Sequence, residues 1–195
     1  MHPIQTLQAQ SEEPSTRSTE PVQLPATLRR IVLTGFMGAG KTTIGRLLAA
    51  RLNWDFLDLD AHLEARTALT VPEIFALHGE AHFRRLESSA LVNALSRSQT
   101  ILALGGGTPE ILTNRLLLEQ TPGTVTVFLN APFPTLFDRC ILQELDRPVL
   151  ADPAQAELRF AQRLPLYRRL ARRTVDTAAQ SPHETAETLL AALHP

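Results

Sequence analysis

The run Gly35-Phe36-Met37-Gly38-Ala39-Gly40-Lys41-Thr42 constrains this chain more than any other stretch. It matches the pattern G-x-x-x-x-G-K-[ST] at every required position. Small residues let the backbone curl so that successive N–H groups face phosphate oxygens at the positive end of the following helix. Lys41 then sets a compact positive charge at the β- and γ-phosphates, and the Thr42 hydroxyl suits a Mg²⁺ shell. The loop requires a strand before it and a helix after it. Ile31-Val32-Leu33 carries a buried-strand signal, and Ile44 to Leu52 carries helical apolar spacing. Of the 19 basic residues 18 are arginine, so the loop's Lys41 is the only lysine in the chain. These features predict binding of ATP or GTP, against an ordinary glycine-rich turn as the alternative. The loop does not choose among kinase, GTPase and motor.

The remaining pattern alternates strands with helices. Trp54 to Asp58, Ile101 to Leu104, Thr124 to Leu129 and Arg173 to Val175 read as strands. Thr70-Val71-Pro72-Glu73 reads as a capping box opening a short helix that ends near Gly79, with a longer amphipathic helix from about Glu80 to Ser96. Thr108-Pro109 reads as an N-cap followed by proline at the first helical position. A helix runs through Cys140, another runs from about Pro153 to Leu170, and Ser181 opens the last one. This order predicts an α/β fold with a central parallel sheet between two layers of helices. A length of 195 residues suits one domain, expected over 28–195. Residues 1–27, rich in Gln, Ser, Thr, Glu and Pro, read as a disordered tail. No stretch approaches the roughly 18 apolar residues that span a bilayer. One cysteine excludes an internal disulfide and fits a reducing compartment.

Asp58 and Asp60 fall at the carboxyl end of the second strand, where open α/β sheets bind ligands. A two-residue spacing on a continuing strand points both to one side, Asp58 toward a metal shell and Asp60 toward a second substrate. The structural alternatives are a helix N-cap for Asp60 and a solvated strand end for Asp58. Gly105-Gly106-Gly107 after a buried strand permits close approach of backbone to ligand, or is a flexible turn. Arg84, Arg147 and Arg163 carry the planar fork that suits carboxylates and phosphates. Six arginines between Arg159 and Arg173 are interleaved only with Phe160 and Tyr167. With a net charge of −1, that pattern argues against nucleic acid. His78 and His82 form no metal motif.

In combination these segments resemble shikimate kinase. The resemblance covers about Arg29 to Thr177 and rests on GFMGAGKTTIGRLLA, FLDLD, VPEIF, HGEAHFRRLE, LGGGTP, RPVL, and RLPLY followed by TVDT, in that order. It implies a nucleoside monophosphate kinase-like P-loop fold with a substrate-binding region and a mobile lid. It also implies ATP-dependent phosphorylation of the shikimate 3-hydroxyl, on the way to chorismate and the aromatic amino acids. Carried over by motif, Gly38, Ala39, Gly40, Lys41, Thr42, Thr43, Arg147 and Gln180 lie on the ATP side, with Lys41, Asp60 and Arg147 catalytic. Asp60, Arg84, Gly105, Gly106, Gly107 and Arg163 lie on the shikimate side, the two arginines clamping its carboxylate. Thr42 and Asp58 lie on the Mg²⁺ side. Gln180 stands where some members place an adenine-side arginine, and Arg139 is a candidate there. The implied protein is a cytoplasmic monomer acting on shikimate and ATP, with no nucleic-acid or membrane partner. Another small-metabolite P-loop kinase, or a kinase-like regulatory module without turnover, are the rival readings.

Overall fold

The computed structural model describes residues 23–142 and 152–193. Most of the expected tail, and Arg147 with the RPVL segment, lie outside the described residues. The elements run β1 (Arg30–Thr34), α1 (Lys41–Leu52), β2 (Asp55–Asp58), α2 (Leu59–Thr67), α3 (Val71–Leu95), β3 (Thr100–Ala103) and a 3₁₀ turn (Thr108–Glu110). They continue with α4 (Leu112–Gln120), β4 (Thr124–Asn130), α5 (Phe133–Leu142), α6 (Pro153–Leu170), β5 (Arg173–Asp176) and α7 (Pro182–Ala192). The strands form one parallel sheet in the order β2-β3-β1-β4-β5.

All five residues of β1 are buried, because a central parallel strand is covered by helices on both faces. Its side chains alternate between two cores. Ile31 and Leu33 join Leu48 of α1, Leu136 of α5 and Leu189 of α7. Val32 joins Leu63 of α2, Leu91 of α3 and Leu118 of α4 on the other face. This is the period of two expected of a strand, and it makes the three layers. The chain runs from β1 outward to β2, back to β3, then across to β4. Strand order therefore reverses at β1, and a crevice opens there beyond the carboxyl ends of the strands.

Two local expectations give way. β2 ends at Asp58 and α2 begins at Leu59, so Asp58 and Asp60 do not share one face of a strand. Asp58 is itself the N-cap, its side chain accepting from the backbone N–H groups of Asp60 and Ala61, and Asp60 sits in the first helical turn. The carboxylate thus satisfies two of the N–H groups that a helix start leaves open. Thr108 caps nothing with its side chain; it opens the short 3₁₀ turn, and α4 starts only at Leu112. The expected break at Gly79 is present inside α3, at φ 75° and ψ 168°, after a Thr70–Glu73 capping box.

Candidate active site

A cleft of about 820 Å³ lies over the sheet's carboxyl edge. Gly38, Gly40, Lys41, Thr42, Asp58, Asp60, Arg84, Gly105, Gly106, Gly107 and Arg163 all line it, so one cavity gathers residues spread over 126 positions of sequence. Ala39 is buried within the loop and Thr43 is exposed beside it. Gln180 and Arg139 stand outside the lining. Arg139 donates to the Thr177 hydroxyl at 3.1 Å, and the Gln180 Oε1 is buried without a hydrogen-bond partner.

The phosphate loop is shaped by its glycines. Gly38 has φ 75°, and a Cβ there would come within 2.3 Å of the Leu136 carbonyl oxygen and 3.0 Å of the Cys140 sulfur. No larger residue fits this left-handed position against α5. The Lys41 Nζ donates to the carbonyl oxygens of Gly35 at 2.9 Å and Phe36 at 3.0 Å, which folds the ammonium back over its own loop. The Thr42 hydroxyl donates to Asp58 Oδ2 at 2.7 Å, while Asp58 Oδ1 accepts the Asp60 N–H at 3.2 Å. One carboxylate therefore fixes the start of α2 and orients the hydroxyl of the loop threonine.

On the acceptor side, Glu87 is wholly buried. Its oxygens accept from Arg84 Nη1 at 2.9 Å and from the Thr108 hydroxyl at 2.6 Å. Burial alone would push the Arg84 guanidinium down. The charges and hydrogen bonds of Glu87, Glu110 and Glu80 outweigh it and raise it above an ordinary arginine. Arg163, buried in α6, meets Glu110 through Nε at 3.0 Å and Nη2 at 3.1 Å. One turn further along α6, Tyr167 donates its hydroxyl to the Gly106 carbonyl at 2.6 Å. Burial pushes the Tyr167 phenol up, so it stays a neutral donor and ties α6 to the glycine turn. Glu87, Glu110, Tyr167 and the cleft-lining Arg159 were not singled out from the sequence. Arg84/Glu87 at three residues and Arg159/Arg163 at four are the helical spacings that could have revealed two of them. Glu110 had no such local signal.

Replacing Glu87 by alanine leaves Arg84 without its buried counter-charge. We expect a loss of about 3 kcal/mol in stability, because breaking one side of a buried pair is costly. Urea unfolding measures it, and an unchanged midpoint would show that Glu80 and Glu110 fully compensate.

The family model for shikimate kinase matches residues 37–194. The chain belongs to the shikimate kinase family. Among relatives in the family, the shikimate kinase of Bordetella pertussis is 43% identical over 164 residues, covering 82% of this chain and 76% of that one. The shikimate kinase of Nitrosomonas europaea is 38% identical over 183 residues, covering 92% and 84%. Among solved structures, shikimate kinase from Acinetobacter baumannii in complex with shikimate superposes with a TM-score of 0.80 at 36% identity, covering 85% of this chain and 93% of that one. A gluconokinase from Sinorhizobium meliloti, at TM-score 0.55 and 20% identity, shares the fold. Among the described residues, no helix is long and apolar enough to cross a membrane.

Proposed function

We propose that this chain transfers the γ-phosphoryl group of ATP to the 3-hydroxyl of shikimate, releasing shikimate 3-phosphate and ADP. One observation carries the reading: a phosphate loop, a carboxylate at Asp60 and two arginines, Arg84 and Arg163, line a single cleft. Phosphoryl transfer asks mainly for positioning and charge neutralisation, and these residues divide that work. Loop N–H groups from Gly38 to Thr43 and the Lys41 ammonium take the phosphates. Asp60 orients the acceptor hydroxyl and accepts its proton as the new P–O bond forms. Arg84 and Arg163 hold the carboxylate of the acceptor, with the turn at Gly105, Gly106 and Gly107 beside the ring. Arg147 is assigned by motif to the transferring phosphoryl group and Gln180 to the ATP side, with Arg139 a candidate for the adenine. The catalytic unit is the domain over 28–195, in a cytoplasmic setting, acting as a monomer.

The residues fit Mg²⁺. Among the described residues no three His, Cys, Asp or Glu side chains form a metal cluster. A cation that keeps waters and phosphate oxygens as ligands needs no such cage. Because the Thr42 hydroxyl gives its proton to Asp58, its oxygen lone pairs remain available to a hard cation. When bound, Mg²⁺ neutralises charge on the β- and γ-phosphates. Asp58→Asn keeps a good N-cap for α2 but weakens the orientation of Thr42. The Mg²⁺ concentration for half-maximal rate should rise by roughly tenfold. An unchanged Mg²⁺ dependence would remove Asp58 from the metal side.

The deciding experiment is ADP release in Mg²⁺ATP with shikimate, quinate, gluconate and nucleoside monophosphates compared. Release confined to shikimate supports the reading. Turnover with another acceptor would keep the phosphate loop and discard the acceptor. Silence with all of them, in protein that binds ATP, would mark a regulatory module.

A further inference from the structure

Glu110 engages both arginines of the acceptor clamp. Its Oε1 accepts from Arg163 Nε at 3.0 Å, and its Oε2 accepts from Arg163 Nη2 and Arg84 Nη2, each at 3.1 Å. A single carboxylate therefore bridges two guanidinium groups, which is the task assigned to the carboxylate of the acceptor. On Arg84 both terminal nitrogens are already engaged. Nη1 serves Glu87, and Nη2, with two hydrogens, serves both Glu80 and Glu110. Three carboxylates face two guanidinium groups, so an incoming anion meets a cluster in which negative groups outnumber positive ones.

The three carboxylates differ in freedom. Glu87 is wholly buried and pinned by Thr108. Glu80 pairs with Arg84 from an exposed position. Glu110 pairs with both arginines, and its side chain is one-third exposed, at 34%. Its backbone, by contrast, is fixed. The Glu110 N–H donates to the Gly107 carbonyl at 2.9 Å, and Arg115 Nη1 donates to the Glu110 carbonyl at 3.1 Å. The side chain can swing out on its own torsions without disturbing the turn.

We infer that Glu110 is an internal carboxylate that fills the acceptor clamp in the free protein, and that the acceptor's carboxylate must take the two arginines from it. The inference rests on the assignment of Arg84 and Arg163 to that carboxylate. Two consequences follow from the exchange. The apparent affinity for the acceptor is lowered by the fraction of molecules in which Glu110 has let go. A neutral polyol, having no charge to exchange for Glu110, is disfavoured at the same step.

Glu110→Gln keeps the shape and removes the charge. The KM for shikimate should fall by roughly three- to tenfold with kcat held within about twofold. Acetate, as a small carboxylate probe, should inhibit competitively against shikimate, with its inhibition constant lowered by the same factor. A purely structural role for Glu110 would not strengthen acetate binding. Glu110→Ala is the second variant, with thermal melting as the folding control. An unchanged or raised KM and acetate constant in folded variants overturns the inference. If neither variant folds, the crystal structure of the wild-type protein with shikimate decides: Glu110 withdrawn from both arginines supports the exchange, and Glu110 still bridging them overturns it. Arg163→Ala in the same assay separates the two levels. No rise in the KM for shikimate there would remove the clamp itself, whereas a rise alongside an unresponsive Glu110→Gln overturns only the internal carboxylate.

Discussion

Lys41→Met leaves a folded protein whose turnover falls by about a thousandfold, the scale expected when a positioned charge is removed from a phosphoryl-transfer site. Methionine matches the lysine stem in length and flexibility, so the helix start of α1 keeps its packing. What disappears is the ammonium that now meets the Gly35 and Phe36 carbonyls at 2.9 and 3.0 Å. Those carbonyls bear partial negative charge and would face a phosphate of the same sign without it. The effect therefore includes both a lost attraction and a newly exposed repulsion. The backbone N–H groups of the loop remain, so ATP binding weakens less than turnover. Circular dichroism and melting temperature check the fold, and a coupled ADP assay at saturating shikimate checks the rate. Retained turnover would mean that the loop does not carry the transferred phosphoryl group.

The parallel sheet was readable from short apolar runs because a buried parallel strand has little polar alternation to confuse it; Ile31-Val32-Leu33 shows this most clearly. The two-residue spacing predicts that Asp58 and Asp60 share one face of a strand, and the chain does not follow it. Strand alternation stops at Asp58, where the N-cap turns the chain into α2. Both carboxylates line the cleft because a helix start stands there. At Thr108 a tertiary contact replaces the one that the local signal predicts. Its sequence context, threonine before proline, signals an N-cap, yet its hydroxyl is drawn 2.6 Å from the buried Glu87. The chain makes only a three-residue 3₁₀ turn there, and the Thr108 side chain caps no helix N–H. Glu110 was invisible for a related reason. Its partners Arg84 and Arg163 lie 26 and 53 residues away, and no local spacing encodes a bridge that only the folded chain brings together.

Asp60→Asn should lower kcat for shikimate by about two to three orders of magnitude while changing its KM far less. A positioned general base contributes on this scale. Asparagine preserves the size of the side chain and one acceptor oxygen, so it can still hydrogen-bond an acceptor hydroxyl but cannot take its proton. The surroundings leave little room for compensation by movement. The Asp60 carboxylate lies so close to the glycine turn that a Cβ on Gly105 would come within 2.7 Å of Asp60 Oδ1, and within 2.7 Å of Glu87 Oε1. The turn thus presses its backbone against two carboxylates with different tasks. Glu87 is committed to Arg84 and Thr108, whereas Asp60 lines the open cleft. Steady-state kinetics across shikimate concentrations separates the two parameters. A large rise in KM with kcat preserved would make Asp60 a binding residue only. In that outcome the phosphoryl transfer would proceed through electrostatic positioning by Lys41 and the arginines, with the acceptor proton leaving late and to solvent.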